Sequence, residues 1–322
     1  MSALTLLIAY DGSAPAASAV RAAGAVFPAA RAIVACARRD ASGLAESAAL
    51  ARIGAPDDVI AGGIMALERA AGDEARALAA EGAALAAAIG LDAEPSVAGA
   101  PGPPWRAIRR LAAERDADVV VCGTRGQGPF SRATLGSTSS GLLHHLDRAV
   151  MVVPAGDGAL SGPAVIGYDG SDGSALAIRR AAELCPGREA LVVNVWESPL
   201  QHSFPGRALG SVRVNEIRAF ATDLDAYFRA CARDLAEQGA GLARARGLAA
   251  EAAEQESRGA AWRGLLATAR AAGAALIVVG SRGHGAIAST VLGSVSSGLA
   301  HNAETPVLVI PVLPTSDPKE QS

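Results

Sequence analysis

Short apolar runs alternate along this chain with longer stretches whose apolar residues recur at helical spacing, and the whole order occurs twice. In the first half the pattern predicts strands at Leu4–Tyr10, Ala32–Ala37, Ala93–Ala98, Asp118–Cys122 and Ala149–Val153. Between them it predicts helices at Ala14–Ala25, Asp57–Ile89, Pro104–Arg115 and Gly136–Leu146. The second half predicts strands at Ala164–Tyr168, Ala190–Val195, Ala249–Gln255, Ala275–Val279 and Val307–Ile310, with helices starting near Ser174, Asn215, Ala261 and Ser294. Strands that alternate with helices build a parallel sheet covered on both faces. The run Val119-Val120-Val121 has the uninterrupted apolar character of a central strand buried on both sides. The reading is an α/β fold of two tandem domains, each a doubly wound, Rossmann-like parallel sheet.

The duplication is explicit in the residues. Ile8-Ala9-Tyr10-Asp11-Gly12-Ser13 returns as Ile166-Gly167-Tyr168-Asp169-Gly170-Ser171. Gly123-Thr124-Arg125-Gly126, followed by Gly136-Ser137, returns as Gly280-Ser281-Arg282-Gly283, followed by Gly293-Ser294. Trp105 returns as Trp262. So long a period gives each copy its own core, unlike a solenoid repeat. The expected domains are residues 1–155 and 163–314, joined by a Gly, Ala and Ser-rich linker, with a disordered polar tail over 315–322.

Composition narrows the chemistry. The formal charge of −3 and the scattered basic residues leave no footprint for nucleic acid. No apolar run is long enough to span a bilayer and the start lacks a signal peptide, so the expected location is the cytoplasm, away from the membrane. Lys319 is the sole lysine and sits in the tail, so a Walker A loop or a Schiff base is excluded from the folded part. Cys36, Cys122, Cys185 and Cys231 lack metal or redox spacing and read as small core or surface residues. His144 and His301 match each other and read as core or interface residues, while His284 faces Gln127 in the other copy, which argues against a required acid or base there. Neither a nucleophile, base and orienter nor a metal-ligand cluster can be assembled from repeated positions.

In a doubly wound sheet, ligands bind outside the carboxyl ends of the strands where the strand order reverses. Asp11 and Asp169 follow the first strand of each half and the glycine loops follow the fourth. Gly123, Gly126 and Gly128, like Gly280, Gly283 and Gly285, allow positive φ and let backbone N–H groups come close to an anion without a Cβ in the way. Gly136-Ser137 and Gly293-Ser294 then open a helix whose free N–H groups favour phosphate oxygens. Arg125 and Arg282, with Ser139, Ser140, Ser296 and Ser297 on the first turn, can add donors. The competing reading makes the glycines simple turn residues and the serines helix caps. Asp11 and Asp169 can likewise hold a ribose or an adenine amine, cap the following helix, or do both through their two oxygens.

The strand-one Asp, the spacing G-x2-G-x9-G-[ST] after strand four, and the closing Val307-Leu308-Val309-Ile310-Pro311 together resemble the universal stress protein family in its tandem form, over nearly the whole chain. The resemblance implies a five-stranded parallel α/β sandwich in each half and, with this glycine motif, ATP binding. It implies that Asp11 and Asp169 contact the adenosine, that the backbone of Ala37 and Val195 lies beside the adenine, and that Gly123, Gly126, Gly136 and Ser137 in one half hold phosphates. Gly280, Gly283, Gly293 and Ser294 do so in the other, and the fifth strand pairs domains, here possible within one chain or in a homodimer. Thr138 stands where the second copy has Val295, and Arg148-Ala149-Val150 replaces the Thr305-Pro306-Val307 that the second half retains. The expected function is an ATP-binding regulatory protein of the stress response, with Mg2+ held by the phosphates and little or no turnover. A slow ATPase or nucleotidyl or phosphoryl transferase, and a nucleotide-free interaction protein, are the alternatives.

Overall fold

A computed structural model describes residues 4–38, 57–99, 101–126, 135–145, 147–156, 160–198, 214–283 and 292–312. The chain divides into two compact units, Met1–Asp157 and Gly158–Ser322. The first unit runs β1 (Thr5–Ala9), α1 (Ala14–Val26), β2 (Arg31–Ala37), α2 (Asp57–Ala88), β3 (Asp92–Ala98), α3 (Pro104–Glu114), β4 (Val119–Gly123), α4 (Ser137–His145) and β5 (Ala149–Val153). The second runs β6 (Ala164–Gly167), α5 (Asp172–Leu184), β7 (Glu189–Trp196), α6 (Val214–Arg244), β8 (Ala249–Glu256), α7 (Ala261–Ala271), β9 (Leu276–Gly280), α8 (Ser294–Asn302) and β10 (Val307–Ile310).

Within the first unit the strands lie in the order β3-β2-β1-β4-β5, all parallel. Within the second they lie in the order β8-β7-β6-β9-β10, again all parallel. The order turns back between β1 and β4, and between β6 and β9, so a crevice opens at the carboxyl ends of those pairs. Leu6, Leu7, Ile8, Val119, Val120 and Val121 are fully buried, as expected when helices cover both faces. Asp118 accepts a hydrogen bond from the Thr5 N–H at 2.9 Å, which ties the start of β4 to β1.

The long helices α2 and α6 lie on tyrosine rings. A Cβ on Gly82 would stand 2.8 Å from the Tyr10 ring and 2.7 Å from Val34. A Cβ on Gly239 would stand 2.7 Å from the Tyr168 ring and 2.8 Å from Val192. These glycines are therefore contact points that let helix and sheet approach closely, and they fix the register of the two copies, with residue n of α2 matching residue n plus 157 of α6. Tyr10 donates its hydroxyl to Glu81 at 2.7 Å, and Tyr168 donates to Gln238 at 3.4 Å.

The substitution of Arg148-Ala149-Val150 in the first closing strand leaves that strand intact. β5 is buried along its length and pairs with β4. Arg148 donates to the carbonyls of Ala112 at 3.1 Å and Ala117 at 2.6 Å, so its guanidinium satisfies one acceptor in the last turn of α3 and one in the connection to β4. The core reading of two histidines is corrected: His144 and His301 are both exposed, on the last turns of α4 and α8. Their helical position faces water because Leu142, Leu143, Leu299 and Ala300 occupy the buried side. No helix among the described residues is long and apolar enough to cross a membrane.

Candidate functional site

Each site begins with a tight turn after the first strand of its unit. Gly12 and Gly170 have φ of 78° and 83°, in the region that favours glycine. The turn lets Asp11 Oδ1 accept from the Ser13 N–H at 3.1 Å, and Asp169 Oδ1 accept from the Ser171 N–H at 3.0 Å and its hydroxyl at 2.6 Å. Ser13 and Ser171 in turn cap α1 and α5 by accepting from the N–H of Ala16 and Ser174. One carboxylate oxygen thus builds the turn, while the capping role weighed for Asp11 and Asp169 falls to Ser13 and Ser171.

The other oxygen lies against the glycine loop. A Cβ on Gly283 would stand 2.6 Å from Asp169 Oδ2, and a Cβ on Gly126 would collide with Asp11 Oδ2. The remaining glycines are equally enclosed. A Cβ on Gly123 would lie 2.8 Å from Pro15, and one on Gly280 would lie 2.7 Å from the Gly173 carbonyl oxygen. One on Gly293 would lie 3.1 Å from the Ser281 carbonyl oxygen, and one on Gly136 3.3 Å from that of Thr124.

Of the two properties weighed from the sequence, the freedom to adopt positive φ is not used here and the missing Cβ is. Gly123, Gly126, Gly280 and Gly283 have no positive φ, and their lack of a side chain serves close packing. Gly128 and Gly285 lie outside the described residues, as do Gln127 and His284.

The loop is then fastened to the helix that follows. Ser139, almost fully buried, donates its hydroxyl toward the carbonyls of Thr124 at 3.1 Å and Gly136 at 3.0 Å. Ser296 does the same with Ser281 at 3.3 Å and Gly293 at 3.1 Å. Gly136 and Gly293 also donate their N–H groups to Thr124 and Ser281, both at 2.8 Å. The hydroxyl protons of Ser139 and Ser296 are engaged within the protein, so what these two residues offer a ligand is their main-chain N–H groups. Those of Ser137, Thr138 and Ser139, and of Ser294, Val295 and Ser296, have no acceptor among the described residues. Gly293 caps α8 without any side-chain hydrogen bond, which leaves that end open.

In the first unit these parts meet on one cavity of about 600 Å³. Asp11, Ala37, Gly123, Arg125, Gly126, Gly136, Ser137, Thr138 and Ser139 all line it, whereas Ser140, also singled out from the sequence, does not. Its size falls within the roughly 300–1,000 Å³ of ordinary small-molecule sites. Cys122 forms part of the wall, and burial pushes its thiol up to about 12, so the sulfur is a neutral apolar surface. In the second unit Asp169, Gly280, Arg282, Gly283, Gly293, Ser294, Val295 and Ser296 occupy the matching places around β6, β9 and α8. Val195 sits at the end of β7, and a Cβ on Gly264 of α7 would lie 2.6 Å from its Cγ1.

The sequence reading missed a wall of this cavity. Ala71, Glu74, Ala75 and Leu78 of α2 line it, together with Pro104 at the start of α3. Their spacing of three, four and seven is a helical face, and it is the signal that could have found them.

Comparison with known proteins agrees with this architecture. A universal stress protein of Mycolicibacterium smegmatis is 31% identical over 215 residues, covering 62% of this chain and 64% of that relative. One from Mycobacterium tuberculosis is 30% identical over 200 residues, covering 60% of this chain and 62% of its own. The matches thus span less than two thirds of either relative's length. A crystal structure of a universal stress protein from Archaeoglobus fulgidus, 18% identical, covers 97% of this chain and 99% of that one with a TM-score of 0.61, a likeness of fold. The sequence profile of the universal stress protein family matches residues 4–154 and matches again over 162–311. The chain belongs to the universal stress protein family, with two of its domains in tandem.

Proposed function

We propose that this protein is a cytoplasmic, ATP-binding regulator that retains its nucleotide with little or no turnover. The observation that carries the reading is one cavity, at the carboxyl ends of β1, β2 and β4, which has both the Asp11 turn and the open first turn of α4 on its wall. The N–H groups of Ser137, Thr138 and Ser139 would hold phosphate oxygens, aided by the partial positive charge of the helix end. Arg125 would add charge from the loop, and Asp11 would accept hydrogen bonds from the sugar. Ala37 would border the base at the end of β2. The same parts around Asp169, Arg282, Gly283 and the start of α8 support a second site of related design. Mg2+ would be held by phosphate oxygens and water, and its contribution is to neutralise the polyphosphate.

Mass spectrometry of the small molecules released from purified, denatured protein tests this most directly. The expected result is ATP or ADP recovered with the chain, and MgATP titration that saturates at fixed stoichiometry without ADP accumulation. Repeated turnover would favour an enzyme instead. Absence of any nucleotide, together with no heat of binding on titration, would overturn the proposal.

A further inference from the structure

Resting on the nucleotide reading of the first cavity, we infer that Glu74 is a specificity-determining residue that accepts a hydrogen bond from an amino group on the base. Asp11 and Glu74 are the two carboxylates on the cavity wall among the described residues. Asp11 follows the central strand and is tied to its own turn. Glu74 belongs to α2, beside Ala75, which packs with Cys36 of β2 and Ala79 in a small buried cluster. That places Glu74 on the β2 side of the crevice, whereas the open helix end of α4 follows β4 on the far side of β1. Two strand spacings, about 10 Å, separate those sides. A nucleotide with phosphates at α4 and sugar near Asp11 would therefore carry its base toward Ala37, Ala71, Ala75 and Glu74.

That end of the cavity is lined by methyl groups with one acceptor of charge. Glu74 is exposed to water and makes no hydrogen bond or ion pair with a described residue, so a ligand in the cavity can reach its oxygens by displacing water. An ionised carboxylate only accepts, so it distinguishes a base edge that donates N–H from one that does not. The second unit lacks this group. The register fixed by Gly82 and Gly239 places Cys231 at the position of Glu74 and Phe228 at that of Ala71. The two sites therefore select their bases differently, and the first is the one that reads the amine.

The test compares ATP with purine riboside triphosphate, which is the same nucleotide without the 6-amino group, by calorimetric titration of the full chain. One site of the native protein should prefer ATP by a few-fold, since the analogue loses a hydrogen bond to a charged acceptor that water can partly replace at the exposed Glu74. Glu74→Ala should weaken ATP by that factor, leave the analogue unchanged and abolish the preference. Glu74→Gln keeps the shape of the wall and one acceptor, so it should retain part of the preference, and it reports even if the alanine variant is unstable. If either substitution leaves the ratio of the two affinities unaltered, or weakens both ligands equally, the assignment of Glu74 is wrong. If neither nucleotide binds the native protein, it is the nucleotide reading itself that has failed.

Discussion

Asp169 Oδ2 occupies the space that a side chain on Gly283 would need: a Cβ built there would lie 2.6 Å from the oxygen. The same relationship joins Asp11 to Gly126. The strand-one Asp and the glycine loop are thus packed together: the carboxylate fixes its own turn with one oxygen and lies against the loop with the other. A side chain added at Gly126 or Gly283 would therefore have to displace the carboxylate.

Gly283→Val is the sharpest test of that coupling. The branched side chain would drive Asp169 away and shift the loop from the start of α8. Nucleotide stoichiometry should fall from two per chain to one, because the first unit keeps its own loop. Equilibrium dialysis gives the number directly, and two nucleotides retained would show that the second loop has no part in binding.

A second prediction concerns an exchange of volume between β7 and α7. The second unit pairs Val195 with Gly264, where the first has Ala37 and Ala107 at the equivalent positions. Gly264→Ala should cost about 1–3 kcal/mol, since its methyl would meet Val195 Cγ1 at 2.6 Å. Combining it with Val195→Ala recreates the first unit's pair and should recover most of that loss in urea unfolding. Costs that simply add would show that the two residues do not share this space.

Tyr10 gives a third, through pH. Burial first, then the hydrogen bond to Glu81, pushes its hydroxyl up to about 12 from the ordinary 10.0. The folded state therefore favours the protonated phenol, and this contribution is complete below pH 10 and lost as pH rises through about 12. The stability difference between the native protein and Tyr10→Phe should shrink from pH 9 to pH 12 in chemical denaturation. Burial also raises Cys122, but that residue is present in both proteins and its effect cancels. An unchanged difference across that range would contradict the assigned environment of Tyr10.

The parts of the site legible in the sequence were those written twice in local form. Asp11 before Gly12, the Gly136-Ser137 helix start and the Val119–Val121 strand each declare themselves within a few residues. What the sequence hid were contacts between distant segments. Gly126 reads as a flexible turn residue until Asp11, far away in the chain, is seen to fill the space beside it. Glu74 was invisible for a similar reason, since the phase of α2 against the sheet is set by Gly82 resting on Tyr10. For His144 and His301 the sequence offered core or interface, and their exposure removes only the core reading, since inherited identity records ancestry and says nothing about exposure to water.

Trp105 and Trp262 lie where Gly141 and Gly298 leave room, so closely that a Cβ on either glycine would collide with the indole. Arg106 and Arg263 stand over the rings at 5.4 Å and 5.2 Å. Since Gly141 and Gly298 belong to α4 and α8, each unit carries a fluorophore pressed against the element that would receive the polyphosphate. If the sites fill as proposed, occupancy of either half should be visible optically in the unlabelled chain, and Trp105→Phe or Trp262→Phe would tell the two signals apart over the constant background of Trp196.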